Sequence, residues 1–96
     1  MSMLNWPNKD PDERLDYALD WSAVMQSSSD EIITSLWFIV DDDATLTIES
    51  DGLNGHLTYV WLTGGEDRRN YQLTNRVTTA GGRIYDRSVL LVITEK

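Results

Sequence analysis

The segment YQLTNRVTT at residues 71–79 decides how this chain folds, together with a second run, RIYDRSVLLVIT, that follows an Ala-Gly-Gly break at residues 83–94. Within the first run, Tyr71, Leu73 and Val77 alternate with polar residues, and a period of two places them on one side of a half-buried strand. The two glycines of the break can adopt positive φ without steric cost, so the chain can reverse there. We therefore predict a β-hairpin whose inward face a second sheet must cover.

Four further segments upstream have strand patterns. Residues 15–21 alternate strictly between apolar and mostly acidic side chains, and residues 32–40 are almost continuously apolar. Residues 44–50 are predicted to form a shorter strand, and residues 56–63 have apolar side chains on both faces, which leaves open which face is inward. With the hairpin these segments give an all-β fold, an immunoglobulin-like antiparallel β-sandwich of six to seven strands. A small barrel is the alternative.

Turn signals separate these strands, and no helix longer than one turn is predicted. Residues 25–30, which include three successive serines, are predicted to form a loop. The aspartates at 41–43 are interpreted as a charged turn that ends the preceding strand. Asp51-Gly52 and Asn54-Gly55 both favour chain reversal, the second more strongly. Tyr71, at the start of the penultimate strand, is expected to bond through its hydroxyl to nearby backbone, as in many immunoglobulin-like domains.

Residues 1–13 are predicted to form an extended arm, and residues 14–96 the sandwich domain. The arm contains two prolines, each of which favours extended geometry in the residue before it. Trp6 is its most prominent apolar residue. We expect Trp6 to fold back onto the domain rather than reach a neighbouring molecule, because an isolated aromatic side chain usually packs into the nearest groove.

Residues 32–40 and the last strand are apolar on both faces, although a partner sheet can cover only one of them. Alternation predicts one set that points inward: Ile33, Trp37, Ile39, Val89, Leu91 and Ile93. The opposite set is predicted to point outward: Ile32, Leu36, Phe38, Val40, Leu90 and Val92. Exposed apolar surface of this extent indicates a protein partner or self-association.

Composition and charge exclude several classes of function. The net charge of −8 opposes binding to nucleic acid. Residues 1–51 hold twelve acids and two bases, whereas residues 52–96 hold four acids and six bases, which indicates either a solvated acidic surface or a docking dipole. The lack of cysteine excludes disulfides and thiolate chemistry. Because no apolar run spans a bilayer and no leader pattern occupies the amino end, we expect no membrane partner and a cytoplasmic site of synthesis.

The residues that support catalysis do not form a recognisable constellation. The single histidine, His56, follows an Asn-Gly turn, where exposure is expected. Asp16 and Asp20 share a strand face but lie about 13 Å apart along it, wider than glycoside hydrolysis requires. The aspartates at 41–43 lack the alternate spacing, central glycine and distal glutamate of a calcium loop. We therefore predict no catalytic residue, no metal and no cofactor.

Three arginines lie on or beside the hairpin. Arg76, Arg83 and Arg87 are expected either to pair with acids of residues 1–51 within one molecule or to contact acids of a neighbouring subunit. The first interpretation is favoured. In the second, the hairpin is a docking edge.

An ordered set of short motifs resembles the small bacteriophage and prophage fiber-tail adaptor proteins. The resemblance runs from about residue 9 to residue 93 and rests on the following residues: Lys9-Asp10-Pro11-Asp12-Glu13, Leu15-Asp16-Tyr17, Asp20-Trp21, Ile33 with Trp37, Val60-Trp61-Leu62-Thr63-Gly64-Gly65, Tyr71, Asn75-Arg76-Val77-Thr78-Thr79, Gly82-Arg83 and Asp86-Arg87-Ser88. It implies a virion component with an immunoglobulin-like fold and no catalysis, made in the bacterial cytoplasm.

The resulting hypothesis is a phage or prophage structural adaptor in the tail or at the tail-fibre junction, whose partners are other tail proteins and possible further copies of the chain. The residues predicted to carry the interaction are Trp6, Leu36, Phe38, Val40, Arg76, Arg83 and Arg87. The alternative is an immunoglobulin-like module that binds a carbohydrate or receptor. An adaptor should co-purify with particles, whereas a binding module should bind an isolated ligand.

Overall fold

The predicted hairpin forms the last two of seven strands. The structure is a computed structural model that describes residues 4–40 and 45–96. The elements follow in the order β1 (Leu4–Asn5), β2 (Leu15–Asp20), α1 (Ser22–Ser28), β3 (Ile32–Val40), β4 (Leu46–Asn54), β5 (Leu57–Gly64), β6 (Asn70–Thr79) and β7 (Ile84–Val92). Tyr71 pairs with Leu91 and Leu73 with Val89, and all four side chains are buried. The chain reverses near Gly82, where φ is 85°. The predicted turn at residues 41–43 lies outside the described residues.

The strands form two sheets that pack face to face. One has the order β1-β7-β6-β3 and the other β2-β5-β4. The antiparallel sets β2-β5-β4 and β3-β6-β7 correspond to the B-E-D and C-F-G sets of immunoglobulin domains, so the predicted all-β sandwich is confirmed. The short strand β1 runs parallel to β7, which makes the four-stranded sheet mixed.

One apolar core fills the space between the sheets. Each fully buried Leu or Val side chain contributes about 1.5–3 kcal/mol relative to its exposed state. The alternation predicted for residues 15–21 is confirmed, since every second side chain there faces the core. The core residues are Tyr17, Leu19, Trp21, Met25, Ile32, Trp37, Leu46, Val60, Leu62, Tyr71, Leu73, Val77, Val89, Leu91 and Ile93.

A polar cluster crosses this core at Asn75, which is fully buried. Its Oδ1 accepts hydrogen bonds from the Thr58 hydroxyl at 2.8 Å and from Trp21 Nε1 at 3.0 Å. Its Nδ2 donates to Ser35 Oγ and to the Leu36 carbonyl, both at 2.9 Å. One amide group thereby links β3 and β6 of one sheet to β5 of the other. A buried polar group needs such partners, because an unpaired one is costly.

Helix α1 corrects two sequence predictions. The loop predicted at residues 25–30 and the expected lack of any helix longer than one turn are both wrong, because α1 makes about two turns. Trp21 is its N-cap residue, and the Met25 side chain is fully buried. The helix ends at Ser29, which adopts the left-handed conformation with φ 52°. Burial of Met25 outweighs the weak helix propensity of the serines.

A β-bulge at the start of β3 changes which isoleucine is inward. Ile32 pairs with Thr79, but Thr34 already pairs with Thr78, so Ile33 is an extra residue. Ile33 is 58% exposed and Ile32 only 8%, which is the reverse of the prediction. The bulge shifts the side-chain alternation by one position. Beyond it, Trp37 is buried as predicted.

The β4–β5 hairpin corrects one predicted turn and confirms another. The chain does not reverse at Asp51-Gly52, where β4 continues and a Cβ on Gly52 would collide with the Tyr59 ring. It reverses at Asn54-Gly55, and Gly55 has φ 63°. In β5 the even-numbered residues, such as Val60, are buried. Tyr59 and Trp61 therefore point outward, which answers the question that periodicity left open.

The amino-terminal segment folds back onto the sandwich, as expected. The Trp6 backbone N–H donates to the Leu90 carbonyl at 3.0 Å, next to the parallel pairing of β1 with β7. The Trp6 indole stacks on Tyr17 with ring centroids 4.6 Å apart, and its centroid lies 5.6 Å from that of Trp37. Trp6 therefore covers one end of the core within its own molecule.

Lys9 fixes the end of this segment from inside. Its side chain is fully buried, and Nζ donates to the Gly64 carbonyl at 2.7 Å and to the Asp10 carbonyl at 2.9 Å. Removal from water disfavours the charged form and lowers the pKa of Lys9. The bond to Gly64 ties the segment to the end of β5.

Tyr71 confirms the contact predicted for it. Its hydroxyl accepts a hydrogen bond from the Glu66 backbone N–H at 2.9 Å, five residues upstream. It is also hydrogen-bonded to the Thr45 hydroxyl. These bonds fix the connection between β5 and β6 against the start of β4.

Candidate interaction surface

The outside of β3, β6 and β7 is a sheet face with exposed apolar side chains. The strand registers arrange its side chains in three rows that run across the strands. Leu36 is 61% exposed and Phe38 39% exposed, whereas Val40 and Leu90 are partly covered. We call this surface the outer face. Its rows are Leu36, Arg76 and Asp86; Phe38, Thr74 and Ser88; and Val40, Gln72 and Leu90.

An ion pair crosses the outer face. Arg76 Nε and Nη2 donate to the two carboxylate oxygens of Asp86 at 2.8 and 2.9 Å. These bonds raise the pKa of Arg76 and lower that of Asp86. The guanidinium carbon also lies 5.4 Å from the centroid of the Phe38 ring, within cation–π range. Arg76 is thus held between an acid and an aromatic ring, and its charge is balanced locally.

Arg83 lies away from the outer face, at the β6–β7 turn. Its Nη1 donates to Asp30 Oδ2 at 2.9 Å, and the Gly81 backbone N–H donates to Asp30 Oδ1 at 2.9 Å. Hydrogen bonding by the Thr79 hydroxyl, together with the backbone N–H groups of Glu31 and Gly81 and the Arg83 side chain, lowers the pKa of Asp30 to about 2. Arg83 therefore pairs with an acid of residues 1–51, as favoured, and fixes the turn.

The Asp30 contacts predict a specific dependence of stability on pH. Because the folded-state pKa of about 2 lies below the ordinary 3.8, the stabilisation is present above about pH 4 and is lost as the pH falls toward 2. We expect Asp30→Asn to lower the urea midpoint at pH 7, and the difference from the wild type to shrink at pH 2. Asp16→Asn, on the exposed side of β2, is the control. Equal effects of the two substitutions at pH 7 would contradict the assignment.

Arg87 and Trp6 also make contacts within the chain. The Arg87 guanidinium lies 4.4 Å from the centroid of the Trp21 ring, and Nη1 donates to the Asp20 carbonyl at 3.2 Å. The bond to Asp20 crosses from β7 to β2 of the other sheet, and Trp21 is the residue that follows β2. Of the seven residues predicted to interact with partners, the structure brings Leu36, Phe38, Val40 and Arg76 together on the outer face, and it places Trp6, Arg83 and Arg87 elsewhere.

The sequence analysis did not predict the exposure of two apolar residues beside this surface, Ile84 and Ile33. Ile84 is 64% exposed and pairs with Thr78 at the end of the hairpin. Ile33 is exposed through the bulge. Alternation along the last strand gives the face of Ile84, but only the pairing register places it next to the outer-face rows. No sequence signal indicates the bulge.

A shallow depression lies between the end of α1 and the β4–β5 turn. It is lined by Ser29, Asp30, Glu31, His56 and Ala80. Although His56 and two acids line it, the Asp30 carboxylate oxygens are already occupied by the hydrogen bonds that hold the β6–β7 turn, so Asp30 is not free to act as a base. Across residues 4–40 and 45–96, no three potential metal-ligating His, Cys, Asp or Glu side chains are grouped to hold an ion. Within the same ranges, the only helix is far shorter than a bilayer span.

Comparison with known proteins identifies the family. No curated protein matches the sequence. Residues 9–92 match the family described as Podophage GP4 fiber-tail adaptor protein gp77. This match covers most of the chain, including every strand except β1. The chain belongs to the podophage fiber-tail adaptor family.

Proposed function

We propose that the protein is a non-catalytic structural component of the virion that joins other tail proteins at the tail-fibre junction through its outer face. The observation that carries this proposal is the combination of exposed Leu36 and Phe38 with the Arg76–Asp86 pair on one sheet face. The chain is made in the host cytoplasm and acts after assembly into the tail.

The chemistry of the outer face suits a protein partner. Burial of exposed apolar surface at an interface contributes a favourable free energy of about 25 cal/mol for each Å² that is removed from water. Aromatic residues and arginine are enriched in the buried centres of protein interfaces. Because Asp86 already pairs with Arg76, burial of this guanidinium leaves no charge without a partner.

A carbohydrate- or receptor-binding module is the second candidate. Tyr59 and Trp61 lie on the outside of the three-stranded sheet, where an aromatic ring could stack on a ligand. The Arg14 guanidinium, however, lies 4.2 Å from the centroid of the Trp61 ring and covers one ring face. This contact favours the adaptor proposal.

Binding to tails that lack this chain tests the proposal. We expect Leu36→Ser to weaken binding to such tails about tenfold, which corresponds to about 1.4 kcal/mol. Leu57→Ser, an exposed leucine on the other sheet, is the matched control and should bind as the wild type does. Equal urea midpoints would show that both variants fold.

The outcomes separate the candidates. Wild-type binding by Leu36→Ser would remove the outer face from the interface. Failure of the wild-type protein to bind tails, combined with binding of an isolated glycan, would favour the second candidate. Sedimentation of the protein alone measures whether a second copy covers the outer face instead.

A further inference from the structure

The edges of the two sheets differ in how they are protected against pairing with another chain. Natural sheets block their edges with charges, bulges or very short strands. Strand β2 carries Asp16 and Asp20 on its exposed side. Strand β4 carries Glu49 and Asp51 and a bulge between Ile48 and Ser50. Strand β1 is only two residues long. Three of the four edges are therefore protected.

Strand β3 is the exception over most of its length, because its bulge lies only at its amino end, between Ile32 and Thr34. Its nine residues, IITSLWFIV, include no charge, no proline and no glycine. It ends its sheet, and β6 pairs with one side of it along its length. Within residues 4–40 and 45–96, no strand pairs with the other side. Among the described residues, the N–H and C=O groups on the side of β3 that faces away from β6 thus form an open template for a further strand.

Exposed side chains flank this open edge. Ile33, Leu36 and Phe38 are 58%, 61% and 39% exposed. An added strand would place alternate side chains next to Leu36 and Phe38 at the spacing of neighbouring strands, about 4.8 Å. The edge thus offers backbone hydrogen bonds together with apolar contacts, the combination used in recognition by strand addition.

We propose that β3 accepts a β-strand from a partner tail protein, which adds one strand to the four-stranded sheet, and that this strand is apolar at its centre and basic at its ends. The proposal deepens the proposed function and rests on it. It specifies the mode of attachment and the chemistry of the partner segment.

Charge selects a basic partner strand over a second copy of the chain. In the sequence, Glu31 precedes β3 and three aspartates follow Val40 directly. If two copies of β3 paired, in either direction, acids of one copy would oppose acids of the other at both ends of the strand, which is unfavourable. The net charge of −8 on each copy adds to this repulsion. Lysine or arginine at both ends of a partner strand would be attracted instead.

A synthetic peptide tests this inference on the whole chain. The probe alternates valine and threonine at its centre and carries pairs of lysines at both ends. We expect it to bind and to protect the backbone amides of β3 from hydrogen exchange, with no added protection in β4. The same peptide with alternate backbone nitrogens methylated should not bind, because it cannot form the edge hydrogen bonds.

Two threonines provide matched variants. Thr34→Lys places a charge beside the open edge, and Thr47→Lys places the same charge on the protected edge strand β4, where the threonine is also exposed. We expect Thr34→Lys to weaken peptide binding about tenfold and Thr47→Lys to change it much less. Equal effects, binding by the methylated peptide, or failure of the unmodified peptide to bind would overturn the inference.

Hydrogen exchange in the complex with tails separates this inference from the proposed function. If the chain binds tails but the β3 amides gain no protection, strand addition is wrong and the adaptor function stands. If the chain binds no tail at all, the proposed function fails, whatever the peptide does.

Discussion

Asn75→Ala is expected to lower the free energy of unfolding by about 3 kcal/mol. The substitution removes a fully buried amide that accepts from Thr58 and Trp21 and donates to Ser35 and to the Leu36 carbonyl. These partners stay in the core, where water cannot easily replace the lost hydrogen bonds. Urea denaturation monitored by tryptophan fluorescence measures the change.

A second asparagine on the same strand supplies the control. Asn70 is exposed at the start of β6, and Asn70→Ala should change the free energy of unfolding by no more than about 0.5 kcal/mol. If the two variants had the same free energy of unfolding, the buried hydrogen bonds of Asn75 would add no net stability, and the prediction would be wrong. A larger loss of stability in Asn75→Ala than in Asn70→Ala would show that the effect comes from the buried hydrogen bonds and not from removing an asparagine from β6.

Trp6→Ala is also expected to cost about 3 kcal/mol, although Trp6 lies in the predicted amino-terminal arm, outside the predicted sandwich domain. The indole packs on Tyr17 and Trp37, and its backbone N–H bonds to β7. Loss of the ring exposes these aromatic neighbours and leaves a gap at the end of the core. We expect a lower urea midpoint and faster hydrogen exchange in residues 4–9.

Trp61→Ala controls for the loss of a tryptophan as such. Trp61 points outward from β5 and contacts Arg14, so its removal should cost only about 1 kcal/mol. If Trp6→Ala were as mild as Trp61→Ala, residues 1–13 would be an arm whose contacts add little to the domain. The pair of variants therefore tests the predicted domain boundary.

The parts of the fold that were predictable are those in which one face of a strand is apolar and the other polar. Tyr71, Leu73 and Val77 of β6 lie inward because a shift of one residue would expose all of them. The bulge at Ile33 was not predictable, because β3 is apolar on both faces. Either set of alternate side chains could therefore point inward. The helix was not predicted because it is stabilised by the burial of Met25 against the rest of the fold. The serine-rich sequence of this segment does not indicate that contact.

Part of the candidate surface could also be predicted, namely the side chains whose face follows from alternation along a strand. Leu36, Phe38 and Val40 share a face by simple alternation, and the structure keeps them together. Arg83 and Arg87 lie near Arg76 in sequence, but their partners, Asp30 and Trp21, come from distant segments. Contacts between distant segments determine where these two long side chains lie, and local spacing does not encode them.

The pairing of Arg76 with Asp86 has a consequence for how an attachment through the outer face would respond to salt. Dissolved ions weaken attachments that depend on attraction between opposite charges on two proteins. In the outer face, the cation and the anion belong to the same molecule and neutralise each other before any partner arrives. Attachment through the apolar side chains of this face would therefore be held mainly by exclusion of water and would depend little on salt, whereas attraction of a basic strand to the acids beside β3 would weaken as salt is added.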